Sequence, residues 1–153
     1  MSDNATIETL GKSVVEQVER IIACADDLGD DGVNWKPPAE ETNSVYVLAT
    51  HVLGNVRQNV LAILGNQPDQ RDRDAEFRAS GSSAAALRAQ WTELREQVQA
   101  TLPTLGQADL ERVHDHPRRG TVTGLQTLVI SATHAAEHAG QAELTRDLYR
   151  AMG

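Results

Sequence analysis

The stretch TIETLGKSVVEQVERIIACADDL, Thr6 to Leu28, decides the fold. Ile7, Leu10, Val14, Val18, Ile21, Ala25 and Leu28 recur at steps of three and four, which gathers them on one face of a helix. Gly29-Asp30-Asp31-Gly32 follows as a strong helix stop. A helix with one apolar stripe cannot hide it alone, so this segment demands helical partners.

Three further segments supply them. Val33 to Pro38 reads as extended chain, since Pro37 and Pro38 forbid helix continuation. Asn43 or Ser44 then caps a second helix to Leu64, with Val45, Leu48, Val52, Val56, Val60 and Ile63 inward and Gly65-Asn66 ending it. Gln67 to Ala79 is dominated by Asp69, Arg71, Asp72, Arg73, Asp74, Glu76 and Arg78, and reads as a solvent-exposed crossover anchored only by Phe77. Ser80-Gly81-Ser82-Ser83 supplies a break and a cap for a third helix to about Leu102, burying Leu87, Trp91, Leu94, Val98 and Leu102. From Pro103 to Gly120 a connection is expected, with one short helical turn at Gln107 to Arg112 and loop signals at His114-Asp115-His116-Pro117. Thr121 is the expected cap of a last helix to Tyr149, with Leu125, Leu128, Val129, Ala132, Ala136 and Ala139 inward. Gly124 and Gly140 there mark close helix approach, a bend or room for a ligand. No strand alternation and no internal repeat is found. The fold class is all-α: an antiparallel four-helix bundle, one domain over residues 1–153, with a long crossover between helices two and three.

The 153 residues hold 14 Lys and Arg against 22 Asp and Glu, a net charge of −8, with no basic stripe to reverse it locally. Such a surface repels phosphate backbones and anionic membranes, so neither nucleic acid nor a membrane is an expected partner. Cys24 is the only cysteine, which rules out an internal disulfide. With no signal peptide and no apolar span recognised, a cytoplasmic location is expected.

The histidines carry the chemistry. His134 and His138 stand four apart, and four residues of helix turn about 400°, so both rings leave one face. Alone, such a pair reads more readily as two surface histidines. Its neighbours change the reading: Thr127, Ile130, Ser131, His134, His138 and Gln141 form a face adjoining the apolar stripe, and His51 stands in the same relation to Leu48 and Val52. A third imidazole beside a core seam can face the first two across the bundle. That would complete a three-nitrogen metal site with a position left for water or substrate. Glu137 and Glu143 read as exposed helix glutamates, His114 and His116 as surface histidines, and Cys24 as a small buried hydrophobe. Trp35 and Trp91 are expected in the core. Arg57 is a candidate for binding an anionic substrate, while Arg118, Arg119, Arg146 and Arg150 read as solvent or subunit-contact residues.

Three features in this order resemble the DinB-like superfamily, the damage-inducible and maleylpyruvate-isomerase-type four-helix bundles. They are Trp35-Lys36-Pro37-Pro38 followed by Asn43-Ser44 and His51-Val52-Leu53-Gly54, then the crossover and third amphipathic helix, then His134-Ala135-Ala136-Glu137-His138-Ala139-Gly140-Gln141. The resemblance implies a divalent metal, commonly zinc, nickel or iron, held by His51, His134 and His138. It also implies a homodimer, a small-molecule substrate, and use of a low-molecular-weight thiol such as mycothiol or bacillithiol by a transferase or isomerase. No second domain of the kind some maleylpyruvate isomerases carry is expected, so that exact reaction is not. A metal-dependent hydrolase and a non-catalytic helical module with a structural metal are the alternatives. No catalytic acid or base is assigned.

Overall fold

Asn4 opens the fold: its side-chain oxygen accepts from the backbone N–H groups of Thr6 (3.0 Å) and Ile7 (3.3 Å), and α1 runs Ala5–Gly32. A computed structural model describes residues 4–81 and 83–153, so Met1 to Asp3 and Ser82 of the expected break lie outside the described residues. The stop at Gly29 takes effect as a kink, since Gly29 sits at φ 64°, where residues with a β-carbon are strained. A further turn then carries α1 to Gly32. Val14, Val18, Ile21, Ala25 and Leu28 are buried as the periodicity requires.

Of the two expected caps for α2 (Val45–Val56), Ser44 is used, its hydroxyl accepting from Val47 N–H at 3.0 Å. The helix continues over Arg57–Leu64 as a π-helix, in which the N–H of Gly65 reaches Val60 O, five residues back, at 2.9 Å. This wider turn shifts the inward register. Ile63, expected inside, is therefore only half-buried, and Leu61 and Leu64 fill the core instead.

The crossover is more ordered than its charge suggests. Asp72 accepts from Ala75 N–H (3.1 Å) and caps a short helix, α3 (Arg73–Phe77). Next comes α4 (Ala84–Thr101), closed by a 3-10 turn at Leu102–Thr104. Ser83 holds the N-cap position without capping; Asp30, at the end of α1, accepts from Ala84 N–H at 2.8 Å. Leu87, Trp91, Leu94 and Val98 are fully buried, and the Trp91 indole donates to Glu19 at 2.8 Å, so its one polar atom is satisfied.

After α5 (Gln107–Glu111), the expected loop is a β-hairpin: β1 (Val113–His116) pairs antiparallel with β2 (Gly120–Thr123), Val113 opposite Thr123 and His116 opposite Gly120. Strands of four residues are too short to print an alternation in the sequence. With Thr121 and Val122 taken by β2, the cap of α6 (Gly124–Ala151) moves to Thr123, which exchanges hydrogen bonds with Gln126 in a capping box. The inward face of α6 also differs from expectation. Leu125 and Val129 are each 39% exposed and Ala136 is half-buried, while Thr127, Leu128, Ser131, Ala132, Ala135, Ala139 and Ala142 point in. Small side chains win this face because they let α1 pack closely along α6.

Contacts fix the directions. Gly65 at the end of α2 lies against Thr101 at the end of α4, and Gly81 lies against Tyr46, so α2 and α4 run the same way. Arg20 pairs with Glu143 and Asp27 with Arg150, so α1 and α6 run together. Ala84 meets Asp30 while Leu102 packs on Gly11, so α4 opposes α1. The long crossover after α2 is what allows this arrangement, an all-α bundle in which α1 and α6 run one way and α2 and α4 the other. Among the described residues no helix is long and apolar enough to cross a membrane.

The two glycines of α6 separate cleanly. A β-carbon on Gly124 would strike the backbone carbonyl of Asp109, whereas one on Gly140 meets nothing within 4 Å. Thermal unfolding should therefore show Gly140→Ala stabilising by about 0.5–1 kcal/mol. Gly124→Ala should destabilise by roughly 1–3 kcal/mol.

Candidate metal centre

α2 and α6 bring His51, His134 and His138 together. Ring centroids are 4.7 Å apart for His51 and His134, 4.9 Å for His51 and His138, and 4.5 Å for His134 and His138, each pair edge-on. One ring nitrogen from each lies within 4.8 Å of the other two, and among the described residues the cluster is limited to these three. The Nε2 atoms of His51 and His134 are 2.9 Å apart. His51 is buried and the other two are partly so. The three positions singled out from the sequence thus meet in space, as helical spacing and the core seam anticipated.

Glu76 joins the histidine cluster, a place the sequence did not reveal. It was placed in an exposed crossover, yet it is buried, and its Oε1 accepts from His51 Nδ1 at 2.9 Å. Arg71 grips the same carboxylate with Nε to Oε2 and Nη2 to Oε1, each 2.9 Å, and its Nη1 donates to Gln58 at 3.0 Å. Gly54 permits this approach, for a β-carbon there would strike Glu76. Phe77, the expected anchor, is 38% exposed and covers His51 at a centroid distance of 4.7 Å. Nothing in a run of alternating charge marks which carboxylate turns inward; only adjacency to Phe77 hinted at it.

His116 also departs from expectation. It is buried, its Nε2 bonded to Asn59 Oδ1 at 2.9 Å and its Nδ1 accepting from Arg118 N–H at 3.1 Å. Since Nδ1 accepts, Nε2 must carry the proton and donate. Asn59 in turn donates to Asn55 at 3.0 Å. The hairpin folds the ring onto α2, which a loop reading could not foresee. His114 is half-exposed, with its Nε2 buried and unpartnered among the described residues. Glu137 is exposed, Glu143 pairs with Arg20, and Cys24 is fully buried. Trp35 lies only half-buried against Tyr149, with centroids 5.7 Å apart, because the prolines after it keep it at the end of the bundle. Arg57 lines a cleft that none of the three histidines borders. A separate cavity of about 340 Å³ opens on His51 and His134, walled by Asn55, His116 and Ile130 among others.

The donor set suits a cation. Burial, with His138, His51, Arg71 and Arg119 adding repulsion, pushes His134 down to about 3. Burial also lowers His138, against the opposing hydrogen bond to Gln141. Burial alone would raise Glu76, but the hydrogen bonds from His51 and Arg71 outweigh it and hold the carboxyl below its usual value. Glu76 is therefore a carboxylate and only accepts, so His51 donates to it from Nδ1 and turns its Nε2 toward His134. Gln141 Oε1 accepts from His138 Nδ1 at 2.6 Å, which leaves that Nε2 free. His134 Nδ1 is buried with no partner among the described residues. Neutral, oriented imidazoles backed by an accepting oxygen are the ligands that zinc, nickel or iron take.

The sequence model described as the DinB superfamily matches residues 14–142. No curated protein matches the chain.

With His134 near 3 and an ordinary histidine near 6.5, the unfolded chain binds the extra proton between those values, so stability rises with pH across that window. The lowered Glu76 acts in the same direction. Denaturant unfolding of chelator-treated protein should show full stability above about pH 6.5 and progressive loss toward pH 3. His134→Gln should flatten the profile.

Proposed function

This chain belongs to the DinB superfamily, and we propose that His51, His134 and His138 hold one divalent metal ion, zinc, nickel or iron. We further propose that the centre serves a transferase or isomerase acting on a small molecule with a low-molecular-weight thiol. The observation that carries this reading is the meeting of three imidazoles with a nitrogen of each within 4.8 Å of the others, two of them, His51 and His134, lining a cavity of about 340 Å³. A purely structural metal is normally enclosed by four protein ligands, and three leave a position for chemistry.

A metal held there supplies Lewis acidity that makes a thiolate available near neutral pH. The chain supplies orientation. Arg71 fixes Glu76, Glu76 fixes the tautomer of His51, and Gln141 does the same for His138. His116 has both ring nitrogens engaged, which suits a wall-positioning residue better than a base. Thiol chemistry agrees with the cytoplasmic setting expected where neither a signal peptide nor an apolar span is recognised, and the reading includes a homodimer. Support for the dimer comes from the end of α6, where Leu144, Leu148 and, at its C-cap, Met152 recur every four residues and are 61%, 42% and 61% exposed.

Metal analysis of natively purified protein should find about one ion per chain. His51→Ala, His134→Ala and His138→Ala together should abolish it, while circular dichroism stays helical. Glu76→Gln should weaken metal affinity about 10- to 100-fold. Less than stoichiometric metal in the native protein would overturn the proposal.

In the cobalt-substituted protein, an added small thiol should produce a sulfur-to-metal charge-transfer band. Turnover of ester or amide substrates without any thiol, and no such band, would favour the hydrolase instead.

A further inference from the structure

The cavity beside the histidine cluster has a charge opposite to that of the molecule. The chain carries −8 overall, yet Arg71, Arg73, Arg118 and Arg119 all line this one cavity and no Asp or Glu does. On the outer faces most arginines find acids, though among the described residues Arg57 and Arg78 do not: Arg20 reaches Glu143, Arg88 reaches Asp26 and Glu19, and Arg146 reaches Asp27. Within the cavity only Arg71 does, and its charge is spent on Glu76. Arg73 stacks over the Phe77 ring, 4.8 Å from its centroid. The side chains of Arg118 and Arg119 make no ion pair or hydrogen bond among the described residues. Three cations are therefore gathered at one mouth without local neutralisation.

Their placement is built. Arg118 and Arg119 lie in the tight connection between β1 and β2, and the buried His116 ring clamps that connection to α2. It does so through Asn59 on one side and the Arg118 backbone N–H on the other. Arg119 sits close enough to His116 and His134 to disfavour a proton on either. Asp69 acts on His116 from outside the cavity, but it is committed to the Gln58 side chain (2.9 Å) and the Arg71 backbone (3.1 Å). Ile130 is the lone apolar side chain of the wall, so a greasy ligand has little to hold.

We propose that this cavity binds an oxyanion, a carboxylate or phosphate borne by a small molecule, with Arg118 and Arg119 as its main partners and Arg73 as a third. Guanidinium groups match the paired oxygens of such groups, and a partly enclosed site strengthens the attraction. A volume of about 340 Å³ limits the ligand to a small acid or sugar phosphate. This deepens the function proposed above, on which it rests for the role of the neighbouring histidines: the substrate is anionic and enters charged end against the hairpin.

Calorimetric titration tests it with succinate, inorganic phosphate and the uncharged succinamide, using metal-loaded and chelator-treated protein. Succinate or phosphate should bind both forms and succinamide neither. R118Q/R119Q should weaken anion binding about tenfold or more with metal content unchanged. Arg57→Gln, outside the cavity, should leave affinity unchanged. Succinate and phosphate affinities in R118Q/R119Q equal to those of the parent overturn the proposal, as does anion binding abolished by chelation alone, which would make the anion a metal ligand. Arginine-dependent binding in a protein that never holds metal would sink the metal centre and leave this site standing.

Discussion

Three imidazoles packed edge to edge in a helical bundle are tolerable only while they stay uncharged, and much of the surrounding structure follows from that constraint. A proton on His134 would face two other rings and the guanidinium groups of Arg71 and Arg119 with little water to screen it. Burial disfavours charge on His134 and His138, and neighbouring side chains turn the rings. Glu76 and Gln141 each accept a hydrogen bond from the Nδ1 of a histidine, which fixes how the His51 and His138 rings are turned. Neutrality and orientation are what ligation requires, and both come from neighbours rather than from the rings themselves.

The crossover between α2 and α4 is where this requirement reshapes the chain. A buried Arg–Glu pair rarely adds net stability, because both partners give up water to form it. Here Arg71 and Glu76 complete a chain of hydrogen bonds that ends on His51, and Gly54 leaves the room for it. The pair is better understood as positioning machinery than as a source of stability. The same holds for the π-helical continuation of α2, which changes the register beyond Val56 and presents Gln58 and Asn59 inward, toward Arg71 and His116.

The hairpin plays the matching part on the other side of the cluster. It is short and polar, and its two strands bury little beyond His116 and Val122. Its turn nevertheless sets two arginines at the mouth of a cavity in an acidic protein. Overall charge and local charge thus carry different information. The first underlies the expectation that nucleic acid and anionic membranes are not partners, and the second underlies the proposed pocket for a small anion.

Much of this was legible in the residues. The apolar period of three and four fixed the helices, and the spacing of His134 and His138 with the seam position of His51 sufficed to expect three converging rings. These are local properties, decided by helical geometry and the need to bury a stripe. The inward face of α6, the burial of Glu76 and the capture of His116 were not legible. Leu125 and Val129 look better suited to a core than Ala135 and Ala139, and Glu76 looks like any other charge in its segment. Their places depend on which helix lies opposite and on which polar atom needs a partner there. That is set by packing and hydrogen-bond balance between segments far apart in the chain, which no single stretch encodes.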